Sequence, residues 1–239
     1  MKTIVITGAG GAIARATLPL LAAPHVRLLL IDRSEAALET VRRDLEACGS
    51  EIVTAVSSLE DLAAARAALA AAGGSVAGLV HLAGVFERNA GGAGEAEIWH
   101  RAIADNLSNA WWIAGAVEEV LDPACVAHYV FAASLAFRIG VADYAPYAAA
   151  KGGVVGLVRS LARRLAPRAV VNGVAPGIIE SPMAEQILDR RRDKVAATIP
   201  LRRFGEPVEV ARVIAFLMGD GASYMTGQVL NVDGGSAMQ

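Results

Sequence analysis

"TIVITGAGGAIARA", residues 3–16, passes from an apolar run through a cluster of glycines into a stretch rich in alanine. Ile4 to Ile6 read as a buried strand, Gly8, Gly10 and Gly11 as a tight turn, and Ala12 onward as the start of a helix. Strand, glycine turn and helix in that order open a parallel α/β sheet. In such a turn the glycines let the backbone come close to a pyrophosphate, and the first turn of the helix offers it unpaired N–H groups.

The same rhythm continues along the chain. "VRLLLID" (26–32), "EIVTAV" (51–56), "VAGLVHLAG" (76–84), "VAHYVFAAS" (126–134), "AVVNGVAP" (169–176) and "GQVLNVDGG" (227–235) are short apolar runs. Between them lie segments with helical spacing at about 12–23, 34–47, 60–72, 95–120, 147–166 and 207–218. Strands that are apolar throughout, rather than alternately polar, belong to sheets covered on both faces. The expected fold is therefore α/β: one Rossmann-type, doubly wound parallel sheet of about seven strands with helices on both faces. The 239 residues are read as a single domain, with no repeat or linker to divide them. "AGGAGEAE" at 90–97 reads as a loop before a helix. Residues 178–200 break the rhythm with the charged run "DRRRDK", and are expected to form a lid over the ligand edge of the sheet.

Composition narrows the functions. With 54% hydrophobic residues, 19% charged residues and a net charge of −2, the chain is neither disordered nor basic enough to favour nucleic acid. Cys48 and Cys125 lack metal-ligand spacing and read as buried thiols in a reducing compartment. The first apolar run stops after about six residues, too short for a secretory leader. "LPLLAAPHVRLLLI" is broken by Pro19, Pro24, His25 and Arg27, so no membrane span is expected. A cytoplasmic protein with a small-molecule partner is the resulting expectation.

Asp32 ends the second strand 24 residues after Gly8, near the spacing of an acid that binds a ribose. A carboxylate there accepts from ribose hydroxyls and repels a 2′-phosphate, which favours NAD(H). Arg33 beside it could reach such a phosphate, so NADP(H) stays possible. Tyr147 and Lys151, in "YAAAK", are spaced i and i+4 on one face of a helix that starts near Pro146. An ammonium near a phenol favours the phenolate, which would make the tyrosine usable for proton transfer. The pair alone also fits an exposed helix surface.

Taken together, "TGAGGAIA" (7–14), "LAG" (82–84), "DNLSNAW" (105–111), Ser134, "YAAAK" (147–151), "NGVAPGIIESPM" (172–183) and "DGG" (233–235) resemble the short-chain dehydrogenase/reductase family. The likeness spans essentially the whole chain and is nearest in pattern to 3-oxoacyl-acyl-carrier-protein reductase-like members. Ser134 precedes Tyr147 by 13 residues, a separation the family shares. The resemblance implies that Tyr147 passes a proton to or from the substrate oxygen, Ser134 holds that oxygen, Lys151 binds the nicotinamide ribose and lowers the tyrosine pKa, and Asn106 holds a water. It implies cofactor contacts from Gly8, Gly10, Gly11, Ala12, Ile13, Asp32, Arg33, Val56, Ala83, Gly84, Asn106, Tyr147, Lys151, Pro176, Gly177, the Ile179 backbone and the Ser181 hydroxyl.

The family loop TGxxxGxG has Ala12 and Ala14 in its second and third glycine positions here. "HLAG" stands where relatives have "NNAG", making His81 a structural substitute, and Ala55 replaces an aspartate that faces the adenine. A mostly apolar substrate pocket is expected near Val85, Phe86, Ala136, Ile139, Tyr144, Met183 and Ile187, with Arg138 either an anion anchor or a surface residue. The small residues Ala148, Ala149, Gly152, Gly153 and Gly156 suit the nicotinamide ribose and, by resemblance, close packing against a second copy of the helix. A homotetramer, or at least a dimer, is expected, with the Met238–Gln239 tail near an interface. The leading expectation is an NAD(H)-dependent oxidoreductase of a secondary alcohol and its ketone. The alternatives are an NADP-dependent 3-oxoacyl reductase and a non-catalytic cofactor-sensing protein of the same fold.

Overall fold

The computed structural model describes residues 1–89, 94–181, 184 and 192–238. Seven strands form one parallel sheet in the order β3-β2-β1-β4-β5-β6-β7. They are β1 (Lys2–Thr7), β2 (Val26–Asp32), β3 (Glu51–Val56), β4 (Val76–His81), β5 (Ala127–Ala132), β6 (Ala169–Pro176) and β7 (Val229–Val232). The order reverses between β1 and β4, so the carboxyl ends of these two strands diverge into a crevice. The register pairs Thr7 with Ile31 on one side and with His81 on the other, which brings the ends of β1, β2 and β4 to one level.

The apolar strands are explained by what covers them. Alternate residues of β2 face opposite ways: Leu29 and Ile31 join a core under α3 (Leu62–Ala70), α5 (Asn109–Glu119) and α7 (Ala145–Leu165), while Leu28 and Leu30 join one under α1 (Ala12–Leu21), α2 (Glu35–Asp44) and a late helix (Pro207–Leu217). All four are fully buried, each contributing roughly 1.5–3 kcal/mol of transfer free energy. The helices start where local chemistry supplies their unpaired donors. Ser34 caps α2, Asp61 caps α3, and Glu206 forms a reciprocal capping box with Glu209 ahead of the late helix.

The expected helix over 95–120 is corrected to three pieces. Gly94, in the left-handed conformation at φ 96°, leads into α4 (Glu95–Ile103), which passes through a π-helical turn (Ala104–Ser108) into α5. Asn106 sits in that wider turn, a feature that recurs at functional positions. Residues 90–93 of the Gly-rich loop lie outside the described residues. So do residues 182–183 and 185–191 of the expected lid, leaving Ile178–Ser181, Ala184, a short α-helix at Arg192–Ala196 and the turns to Pro200. Among the described residues no helix is long and apolar enough to cross a membrane. Cys48 and Cys125 are free but only half-buried, a correction to the expected buried thiols. Cys48 lies in the turn after α2, packed against the edge of the core under α1 and α2, and Cys125 lies in the turn before β5.

Candidate active site

The crevice between the β1 and β4 ends is lined by Gly8, Asp32, Arg33, Ala83, Gly84 and Val85, all but the last named by the sequence as cofactor contacts. Its backbone is packed to the limit that glycine permits. At φ 66°, Gly8 has no space for a side chain: a Cβ would lie 2.7 Å from the Ala83 nitrogen. One on Gly10 would meet the Ala37 Cβ at 2.6 Å and the Asp32 Oδ2 at 3.2 Å. Gly10 N–H instead donates to Asp32 Oδ2 (2.9 Å), and Ser34 N–H donates to Asp32 Oδ1 (3.0 Å), so the carboxylate is fixed at the cleft. Gly11 is the N-cap of α1 with no side-chain cap, and Ala12 and Ile13 form the first helical turn. A close-packed glycine turn, an uncapped helix start and an immobilised carboxylate fit an adenine dinucleotide. The Ala12 methyl is accommodated as the first residue of α1.

Four further polar residues line this cleft that the sequence reading passed over: Ser57, Ser58, Asp105 and Asn109. The first two follow β3 at the ligand edge, directly after Val56, which is itself exposed and pairs in register with Asp32. The signal for them was position alone, two hydroxyls one step past a strand. Asp105 and Asn109 flank Asn106 in "DNLSNAW", where the π-helical turn swings them toward the cleft.

The four residues expected to carry chemistry converge around the ends of β4 and β5. Tyr147 is buried, with Pro146 in the first turn of α7, and has the Ser134 hydroxyl beyond β5 as a polar neighbour. Lys151 is buried one turn later and donates from Nζ to the Ala132 carbonyl (2.9 Å), its ammonium 5.7 Å from the centre of the Tyr147 ring. Asn106 accepts from Val85 N–H (3.1 Å) and donates to the Ala102 carbonyl (3.0 Å), tying the π-helical turn to the loop after β4. A Cβ on Gly84 would stand 2.6 Å from Asn106 Oδ1 and 3.2 Å from Lys151 Nζ, so this loop passes directly beside both.

Burial dominates the titration of the pair. It pushes the Tyr147 phenol up, opposed by the Ser134 hydrogen bond, and it lowers the Lys151 ammonium to about 8. The expected lowering of the tyrosine by the lysine is therefore not what governs this chain by itself. Removal from water outweighs a neighbour whose charge is directed at a backbone carbonyl.

Several expectations on the substrate side take a different form. Phe86 stacks on Tyr144 (ring centres 3.9 Å apart, 22° between planes) and meets Tyr147 edge-on at 4.8 Å. Val85 lines the cleft beside Gly84 instead, Ala136 is buried at the start of the short helix α6 (Ala136–Ile139) with its N–H donating to Ser134 Oγ, and Ile139 is exposed. Met183 and Ile187 lie outside the described residues. Arg138 donates to Asn231 on β7 (2.9 Å) and lies over the Phe137 ring.

Gly177 needs its lack of a side chain for the end of β7, since a Cβ would be 2.8 Å from Asp233 Cα; Pro176 accepts from Leu135 N–H. Ile179 is buried and bridges Gly205, while the Ser181 hydroxyl donates to the Ile179 carbonyl (3.1 Å). Among the small residues of α7, Gly153 serves an internal contact: a Cβ there would strike Leu107 at 2.6 Å. Gly156 and Ala149 do face outward.

A doubly wound parallel sheet with a glycine turn, a carboxylate after β2 and a buried Ser/Tyr/Lys cluster at its carboxyl edge defines a dinucleotide-dependent dehydrogenase or reductase. A family profile described as Enoyl-(Acyl carrier protein) reductase matches residues 8–237. The chain is 33% identical over 238 residues to the 3-oxoacyl-acyl-carrier-protein reductase FabG of Escherichia coli (strain K12), covering 99% of this chain and 98% of that one. Among solved structures it is similar to a short-chain dehydrogenase/reductase (glucose/ribitol dehydrogenase) from Brucella melitensis, at 35% identity and a TM-score of 0.89 over 100% of this chain and 97% of that one. It is also similar to an actinorhodin polyketide ketoreductase with NADPH, at 30% identity and a TM-score of 0.90 over 98% and 97%. The chain belongs to the short-chain dehydrogenase/reductase family, as an oxidoreductase of the ketoreductase/dehydrogenase type that acts on CH–OH groups with NAD(P).

Proposed function

We propose that the chain interconverts a secondary alcohol and its ketone with NAD(H), Tyr147 serving as general acid and base. The observation that carries the cofactor preference is the Asp32 carboxylate, held at the cleft by two backbone N–H groups. A fixed negative charge there accepts from ribose hydroxyls and opposes a 2′-phosphate. Gly8, Gly10, Gly11, Ala12 and Ile13 would hold the pyrophosphate at the start of α1; Val56, Ala83 and Gly84 would contact the adenosine half. Asn106, Lys151, Pro176, Gly177, the Ile179 backbone and Ser181 would meet the nicotinamide half. The bound dinucleotide supplies the hydride acceptor or donor.

The chain's own part is the proton. Burial keeps the Tyr147 phenol protonated through neutral pH, the form that can donate to a ketone oxygen at Oη. The Ser134 hydroxyl, a neighbour of that phenol, would hold the same oxygen. In the oxidative direction the phenolate is required, and the Lys151 ammonium favours it. Phe86 and Tyr144 give the substrate side an aromatic wall, suited to a ketone with an apolar flank. The reading extends to a homotetramer in the cytoplasm and to a cover over the site from 178–200.

A second reading, NADP-dependent reduction of a 3-oxoacyl group, is favoured by one observation: Arg33 is exposed on the same cleft as Asp32. Parallel titration with NADH and NADPH, followed by nicotinamide fluorescence, separates the two. Tighter NADH binding that falls about tenfold in Asp32→Ser, the loss of a charged hydrogen bond, is the expected result; tighter NADPH binding by the unaltered protein would sink the NAD reading. Tyr147→Phe should lower turnover by about 10²- to 10⁴-fold while dinucleotide affinity holds.

A further inference from the structure

His81 occupies the end of β4 with its ring 1% exposed, between the two strands whose divergence makes the cleft. Its Nδ1 lies 2.8 Å from Thr7 Oγ1. That hydroxyl also accepts from Ala83 N–H (3.3 Å), and among the described residues Nδ1 is the one acceptor within reach of its own hydrogen, which assigns Nδ1 as the unprotonated nitrogen. The proton is left on Nε2, which is buried and lacks a partner of ordinary geometry. One other buried atom nearby is in the complementary position. Asn109 donates from Nδ2 to the Asp105 carbonyl (2.6 Å), which fixes the orientation of its amide and leaves Oδ1 a buried acceptor without a partner. Buried polar groups rarely stay unpaired, and here the donor and the acceptor each supply what the other lacks.

We propose that His81 is a positioning residue whose neutral ring joins Thr7 through Nδ1 and Asn109 through Nε2–H, fixing the spacing of three walls of the dinucleotide cleft. Those walls are the end of β1 at Gly8, the loop after β4 at Ala83, and the π-helical turn with Asp105 and Asn109. The role rests on reading that cleft as the dinucleotide site. The titration of the ring agrees with the geometry: burial holds it neutral, the Lys151 charge opposes protonation, and the Asn109 side chain is the one neighbour that favours the proton. An amide also carries an acceptor and a donor, but asparagine is too short to reach Asn109 and glutamine reaches past Thr7, whereas the imidazole places a nitrogen at each.

Two measurements test this. The first is ¹⁵N NMR of the imidazole in the dinucleotide-free protein, where Nε2 should be protonated and Nδ1 not; the opposite tautomer would overturn the proposal whatever the variants do. The second is dinucleotide affinity in His81→Asn, His81→Gln, Asn109→Ala and the double variant His81→Asn/Asn109→Ala. By side-chain length, asparagine retains the Thr7 link and glutamine the Asn109 link. Each single change should weaken the preferred dinucleotide about three- to tenfold. The double variant should lose no more than the worse single one, with the loss in binding rather than in turnover at saturating dinucleotide. Additive losses, or unchanged affinity in His81→Asn, would refute the link to Asn109. If the unaltered protein binds neither NADH nor NADPH, the cleft reading itself fails and this role with it, while the NMR result still reports the tautomer.

Discussion

At the scale of single residues, the molecule places several polar groups where water cannot reach them, and each has a measurable consequence. Tyr129 is fully buried on β5 with an unpaired hydroxyl. Removing that oxygen removes its desolvation cost, so Tyr129→Phe is expected to stabilise the protein by about 1 kcal/mol in denaturant unfolding. His81 acts through pH. Its folded pKa is depressed from 6.5 to about 3, so the unfolded chain binds its proton first. The contribution is complete above pH 6.5 and is lost as the pH falls toward 3. Between pH 6.5 and 4.5 the unaltered protein should lose about 2–3 kcal/mol relative to His81→Gln, and a parallel decline of the two would contradict it. Asp32, Tyr147 and Lys151 were readable in the sequence because each lies at a set step from a strand end or a helical neighbour, whereas Ser134 was read from the family resemblance. The preference of Tyr147 for its neutral form was not, because burial is decided by segments distant in the chain.

Elements carry a second kind of information. The loop after β4 is fastened to the start of α7 by Asn89 N–H donating to the Asp143 carbonyl (2.7 Å), by an Arg88–Asp143 ion pair (2.6 Å) and by the Phe86–Tyr144 stack. Tyr144, the N-cap of α7, offers no side-chain cap; Asn89 Oδ1 accepts from Ala145 N–H (2.9 Å) in its place. The helix that holds Tyr147 is thus capped from another element. Asn89→Ala should cost about 1 kcal/mol of stability and raise the KM for the ketone more than that for the dinucleotide, as steady-state kinetics on both would reveal. Strand and helix positions were legible from the alternation of apolar and helical spacing. The π-helical turn at Ala104–Ser108 was not, because one extra residue in a turn barely disturbs the apolar periodicity of 95–120. Asp105 and Asn109 were missed for that reason, and so was the packing of Gly153 against Leu107, which lies on that same turn.

For the whole molecule, the sheet order explains why one end holds the chemistry. Every residue of the proposed site lies at or just past a strand's carboxyl end or on a helix facing that edge. Trp99 and Trp111 leave large apolar surface exposed on α4 and α5, as do Leu201 and Met238 near the end of the chain. Surface of this kind is costly in water unless a partner covers it. Light scattering at micromolar concentration should therefore report an assembly of four copies, or two at least, and a monomer would exclude it. The same sheet order has a consequence for the growing chain. β1 pairs with β2 and then waits for β4, which begins at Val76, before its other edge is covered. Every later strand joins the edge left open by its predecessor. Synthesis from the amino terminus thus extends the sheet first from β1 to β3 and then, on the other side of β1, from β4 to β7, so that β1 keeps an open edge for a chaperone to guard until β4 emerges.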